Sequence, residues 1–143
     1  MRIVLDSSVI IELERKNQEA IALVKEFLKN DEEVIISTVA VSEVLVGPYF
    51  SNDFNGAMAE IKQIISQFSS VNLDAKIAEK IARYWAYLIA EGLPAQYQDV
   101  AIAATFAVTK SDFLLTQNKK HFDVLPEIGS KARTISEFRR IYR

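Results

Sequence analysis

The feature that most constrains this chain is an alternation. Short apolar runs rich in β-branched residues are separated by longer stretches whose apolar residues recur at helical spacing. Arg2–Leu5, Glu33–Ser37, Val71–Leu73, Asp112–Thr116 and Ala132–Ile135 read as strands. Between them, Ser7 and Ser8 cap a helix carrying Val9, Ile10, Ile11 and Leu13, and a second helix runs from Glu19 to Asn30. A third starts near Thr38 and stops at Gly47-Pro48, and a fourth runs from the polar loop Ser51-Asn52-Asp53 to about Phe68. Asp74 caps a long helix ending at Gly92, a further helix passes through Asp99 and Phe106, and Ser136-Glu137 begin a basic terminal helix. Strands alternating with helices argue for a parallel sheet covered on both faces, an α/β fold with four to five short strands. At 143 residues the chain is read as one domain, 1–143.

The residue inventory excludes much known chemistry. The chain has no cysteine, so disulfides, thiolate zinc sites and cysteine nucleophiles are absent. The four glycines, Gly47, Gly56, Gly92 and Gly129, are scattered and build no phosphate-binding loop or nucleophile elbow. A single histidine, His121, rules out a two-histidine acid/base ribonuclease. The net charge of −2 neither marks nor excludes a nucleic-acid binder, because a local basic patch can hide in a near-neutral total. The longest uncharged stretch, Gln63 to Leu73, is far short of the roughly 20 residues of a membrane helix. With no signal-like amino terminus, a cytoplasmic protein that does not enter the membrane is expected.

Three acids interrupt apolar segments where a carboxylate is costly: Asp6 after the first strand, Glu43 within Val39–Val46, and Asp99 before Val100–Ala104. Each has a bland reading, as a helix cap, a solvated helix position or a first-turn acid favoured by the helix dipole. For Glu43 that reading is weak, since its apolar neighbours leave almost no polar face. Three carboxylates within about 5 Å would repel by roughly 3 kcal/mol per pair at an effective dielectric near 20, so such a cluster implies a neutralising cation. Oxygen donors alone suit Mg2+ or Mn2+, ions that serve phosphodiester chemistry. Asp6 and Thr116 both fall at strand carboxyl ends, where ligands of such sheets bind.

The strings Ile3-Val4-Leu5-Asp6-Ser7-Ser8-Val9-Ile10, Ser42-Glu43-Val44, Asp99-Val100-Ala101-Ile102-Ala103-Ala104 and Leu114-Leu115-Thr116-Gln117-Asn118-Lys119-Lys120-His121-Phe122 resemble PIN-domain ribonucleases. They are most similar to the toxins of VapC-type toxin–antitoxin systems, with order and spacing matching over essentially the whole chain. The resemblance implies a three-layer α/β/α fold, Mg2+- or Mn2+-dependent endonuclease cleavage of RNA, a homodimer, and a small antitoxin partner. It places Asp6, Glu43 and Asp99 on the family's first three acidic positions, as catalytic and metal-holding residues. Ser7 falls on a hydroxyl position beside the first acid, and Thr116 on the threonine ending the fourth strand.

The chain departs from the family where many members carry a fourth acid, because the two candidate positions hold Asn118 and His121. Asn118 can still ligate through its amide oxygen or orient a water. His121 is read equally well as packing beside Phe122. Lys119 and Lys120 are candidate phosphate contacts, and Arg139, Arg140 and Arg143 a possible basic rim. Tyr84, Trp85 and Tyr87 read as core or dimer interface. The competing reading is a PIN-like module that binds RNA or protein without cleaving. A phosphatase with an aspartyl nucleophile is disfavoured, since Ser8 stands where its second acid would be.

Overall fold

The computed structural model describes residues 1–142, so Arg143 of the expected basic rim lies outside the described residues. Five strands form one all-parallel sheet in the order β3-β2-β1-β4-β5: β1 (Arg2–Leu5), β2 (Glu33–Ser37), β3 (Ser69–Val71), β4 (Phe113–Leu115) and β5 (Ala132–Arg133). The helices are α1 (Ser7–Glu14), α2 (Gln18–Lys29), α3 (Thr38–Val44), α4 (Phe54–Ile65), α5 (Ala75–Ala90), α6 (Tyr97–Val108), α7 (Lys120–Asp123) and α8 (Ile135–Ile141). They flank the sheet, the α/β/α class that the alternation predicts.

β1 is the central strand, and Ile3, Val4 and Leu5 are wholly buried. Its unbroken apolar run suits a strand covered on both faces. α6 is apolar nearly all round and sits inside the molecule, every residue from Val100 to Phe106 being buried. Amphipathic α5 packs beside it, burying Ile77, Ile81, Tyr84 and Leu88. At the far end of the sheet, edge-on contacts of Phe138 with Phe27 and Phe113 fasten α8 to the core.

The chain fills the sheet on one side of β1 with β2 and β3, then crosses to the other side for β4 and β5. The switch point therefore lies between β1 and β4. Their carboxyl ends, at Asp6 and Thr116, open the crevice where parallel sheets bind ligands. Leu5 stands in register with Leu115, and the Asp6 N–H donates to the Leu115 carbonyl at 2.9 Å.

Several boundaries differ from the sequence reading. Ser7 and Ser8 lie inside α1, and Asp6 occupies the capping position without its side chain capping anything. α3 ends at Val44, and Gly47–Phe50 form a separate 3-10 turn with Pro48 near its start. A proline lacks the N–H that a first turn leaves unused, so it opens this turn rather than merely closing the previous helix. β3 lies at Ser69–Val71 instead of Val71–Leu73. Pairing with Ile35–Ser37 needs only backbone groups there, and the exposed serines suit an edge. β4 and β5 are shorter than expected, and α8 begins at Ile135 because Thr134 and Glu137 form a reciprocal capping box. No helix among the described residues is long and apolar enough to cross a membrane.

Candidate active site

Asp6 ends the central strand and is only 2 % exposed. Its carboxylate accepts from Ser8 Oγ at 2.7 Å and Thr116 Oγ1 at 2.8 Å, both on Oδ2. Ser7 Oγ reaches Oδ1 at 3.5 Å, a marginal contact. Both close hydroxyls are themselves aimed by backbone. Ser8 Oγ accepts the Gln117 N–H at 2.9 Å, and Thr116 Oγ1 accepts the Asn118 N–H at 2.9 Å. With their lone pairs engaged, their protons point at Asp6, which orients the carboxylate and ties the β4–α7 loop to the start of α1. Ser8 is thus the nearer hydroxyl partner, a role the sequence reading gave to Ser7. Only its spacing two residues after Asp6, on the first turn of α1, could have signalled it.

Glu43, on α3, has an Oε1 atom shielded from solvent and without any hydrogen-bond partner. Its carboxyl is raised above the ordinary value by burial first, then by the Asp6 charge, with a smaller push from Asp99; the Ser7 hydroxyl opposes them. Asp99, in the first turn of α6, is likewise raised by burial and then by Asp6, while His121 pulls it down. The three acids therefore share one electrostatic environment at the switch-point crevice. His121 stands at one of the two candidate fourth-acid positions, but its contact with Asp99 was not expected. The chain places no base beside any of the acids in sequence, yet α7 carries His121 Nδ1 to 3.1 Å from Asp99 Oδ2.

The remaining candidates divide. Thr116 is wholly buried against Asp6, as described. The Asn118 side chain is exposed, and its backbone N–H donates to Thr116. Lys119 forms an ion pair with Glu137 at 3.2 Å, whereas Lys120 lines a cavity together with Asp99 and His121. Tyr84 is buried and donates to Glu127 at 2.6 Å, and Trp85 packs against Tyr97 with ring centroids 6.2 Å apart, while Tyr87 is exposed.

An oxygen-donor set of this kind fits a hard divalent cation. An unpaired buried carboxylate oxygen costs about 1–3 kcal/mol, and Glu43 Oε1 is such an atom, directed at no protein donor. Among the described residues, no three Asp, Glu, His or Cys side chains are gathered to hold an ion as they stand; Asp99 faces His121, and Asp6 is engaged by hydroxyls. Those hydroxyl contacts leave Asp6 Oδ1 nearly uncommitted.

Fold and site together define an α/β protein with an acid-lined crevice at the switch point of a parallel sheet. More narrowly, the PIN-domain family model matches residues 3–141, and the chain belongs to that family. The chain has no significant match among curated proteins. Among solved structures it is similar to VapBC2 from Rickettsia felis bound to a DNA fragment from its promoter, with TM-score 0.85, 18 % identity, and 94 % of this chain and 98 % of that one covered. It is also similar to DNA-bound VapBC from Salmonella typhimurium, with TM-score 0.81, 20 % identity and coverage of 94 % and 98 %. VapBC-5 from Mycobacterium tuberculosis, of the VapBC family of toxin–antitoxin systems, superposes with TM-score 0.68, 24 % identity and coverage of 93 % and 96 %. At these identities the likeness speaks for the fold.

Proposed function

We propose that this protein, acting as a single domain, is a Mg2+- or Mn2+-dependent endoribonuclease and the toxin of a toxin–antitoxin pair. The observation that carries the reading is the unpartnered Oε1 of Glu43, buried beside two further carboxylates that raise its proton affinity. Asp6, Glu43 and Asp99 would hold the ion, which when bound supplies Lewis-acid stabilisation of the phosphodiester and a more acidic water. Ser8 and Thr116 fix the Asp6 carboxylate so that little reorganisation is needed during reaction. Ser7 lies near Asp6, with a marginal 3.5 Å contact, and its hydroxyl favours the charged form of Glu43. Glu43 Oε1 is the free acceptor able to orient an attacking water, and Asn118 can contribute its amide. Lys120, which lines the cavity beside Asp99, would meet RNA phosphates, as would Lys119 if freed from Glu137.

The antitoxin proposal draws support from the groove lined by Leu13, Ile21, Val24 and Ile64, edged by Lys25 and Glu60. An amphipathic helix presenting apolar residues at helical spacing suits such a groove. The homodimer draws support from Ile89, Leu93 and Tyr97, exposed around the end of α5 and the start of α6.

The contact of His121 with Asp99 favours one second reading, a PIN module that binds RNA without cutting it because a base takes the place of an acid. Incubation of a tRNA and structured-RNA panel with purified protein and Mg2+, Mn2+ or EDTA separates the two. Metal-dependent cutting that disappears in a folded Asp6→Asn variant supports the nuclease. Binding without cutting at any Mn2+ concentration, in protein free of co-purified inhibitor, supports the module.

A further inference from the structure

Beside the acid cluster lies a cavity of about 380 Å3 that the cleavage chemistry does not use. Neither Asp6 nor Glu43 lines it. It meets the cluster only through Asp99 and the His121 imidazole that contacts it. Its other walls are Pro94, Ala95 and Val124, an apolar surface, with the Gln96 amide and the Lys120 ammonium on its rim. The volume falls in the range of roughly 300–1,000 Å3 typical of small-molecule sites.

We infer that this cavity is a nucleobase subsite, which holds a base flanking the scissile phosphate and is read by Gln96. The inference rests on the nuclease reading of the adjoining acids. A flat, mostly apolar ring suits a cavity lined by Pro94, Ala95 and Val124, and single-stranded RNA bases are commonly splayed out and stacked on imidazole or other flat groups such as His121. Gln96 occupies the capping position of α6 without its side chain capping the helix, so its amide is left to serve a ligand. A carboxamide presents a donor and an acceptor side by side, the pattern that pairs with a base edge. Lys120 on the rim suits the phosphate joined to that base. The cavity opens directly onto Asp99, so one nucleotide can span from base pocket to reacting phosphodiester.

Gln96 is here a specificity-determining residue rather than a catalytic one, and its test does not depend on cleavage. The probes are AMP, GMP, CMP, UMP and ribose 5-phosphate, titrated in the presence of Mg2+ into isotope-labelled wild-type protein and followed by NMR. At least one nucleotide is expected to bind ten-fold more tightly than ribose 5-phosphate, moving the Gln96 side-chain amide and the Ala95 methyl resonances. Gln96→Ala, an exposed substitution, is expected to reduce that preference to within about two-fold. Equal binding of nucleotides and ribose 5-phosphate, shifts confined to Lys120, or no binding would overturn the subsite. Cleavage by wild type but not Asp6→Asn, with no nucleotide preference, sinks the subsite and leaves the nuclease standing. Base-selective binding at Gln96 without any cleavage sustains the subsite and removes the nuclease.

Discussion

Replacing Glu43 by Gln removes the charge of the unpartnered carboxylate and keeps its volume. In the metal-free protein this carboxyl is held above its ordinary 4.5 by burial and then by the Asp6 charge. A native pKa above the unfolded one means that the native state keeps its proton longer. The penalty is therefore absent below about pH 4, grows as pH rises through 4.5 to the raised native value, and is complete at neutral pH. Two unit charges roughly 5–10 Å apart repel by about 2–3 kcal/mol through an effective dielectric near 20, and solvent screening at the partly buried Glu43 reduces this to about 1 kcal/mol. A 143-residue domain unfolds with an entropy of about 0.3 kcal/mol per degree, so Glu43→Gln should melt about 3 °C above wild type in EDTA at pH 7.5. That gap should close toward pH 4. At Mn2+ concentrations a hundred times the Kd, wild type should gain about 2.7 kcal/mol, or about 9 °C, and the variant less than half of it. Differential scanning fluorimetry across pH and Mn2+ reads all of these. A variant melting below wild type in EDTA at pH 7.5, or offset by a constant amount from pH 4 to 8, would refute the repulsive cluster.

Other perturbations test neighbouring parts of the site. Thr116→Val preserves shape but removes a donor to Asp6 and an acceptor for the Asn118 N–H; it should cost about 2 kcal/mol, seen as a melt lower by about 7 °C. His121→Asp adds a fourth acid to Asp6, Glu43 and Asp99, so it should lower the metal-free melting temperature and enlarge the Mn2+-induced rise; the reverse pair of changes would show that His121 is not beside the ion site. Ile21→Glu on the α2 wall of the groove should weaken antitoxin capture at least ten-fold while leaving RNA cleavage by free protein unchanged, as read by pull-down and gel assay.

How far the sequence reveals this molecule depends on whether a signal is local. The strand at Arg2–Leu5 and the helix α6 declare themselves because burial on all sides leaves no room for polar residues, and nothing distant can disguise that. β3 is misplaced because an edge strand needs only backbone pairing with Ile35–Ser37, and Ser69-Ser70 carry no apolar pattern to mark it. α7 goes unseen because four residues, Lys120 to Asp123, are too few for any periodicity. Ser7 and Ser8 read as caps because serine favours that position, yet the next turn begins one residue earlier, at Asp6.

The acids follow the same logic, with one reversal. Asp6 fits the pattern of a helix cap by position, and its backbone does cap α1, yet its side chain turns away to Ser8 and Thr116. The bland reading fails at the side chain, which only the fold could decide, because Thr116 is 110 residues away. The contact of His121 with Asp99 is equally invisible in sequence, since 22 positions separate them and a four-residue helix makes the turn. That contact changes the chemistry of the departure at the fourth acid. In place of a further negative charge, the site has an imidazole that lowers the proton affinity of Asp99 and walls off a cavity of its own. A carboxylate there would strengthen the hold on a cation; an imidazole relaxes it and offers a flat face to a base. Loss of one ligand and gain of one recognition surface are then the same substitution, and a nuclease built this way should bind its ion weakly until RNA fills the crevice.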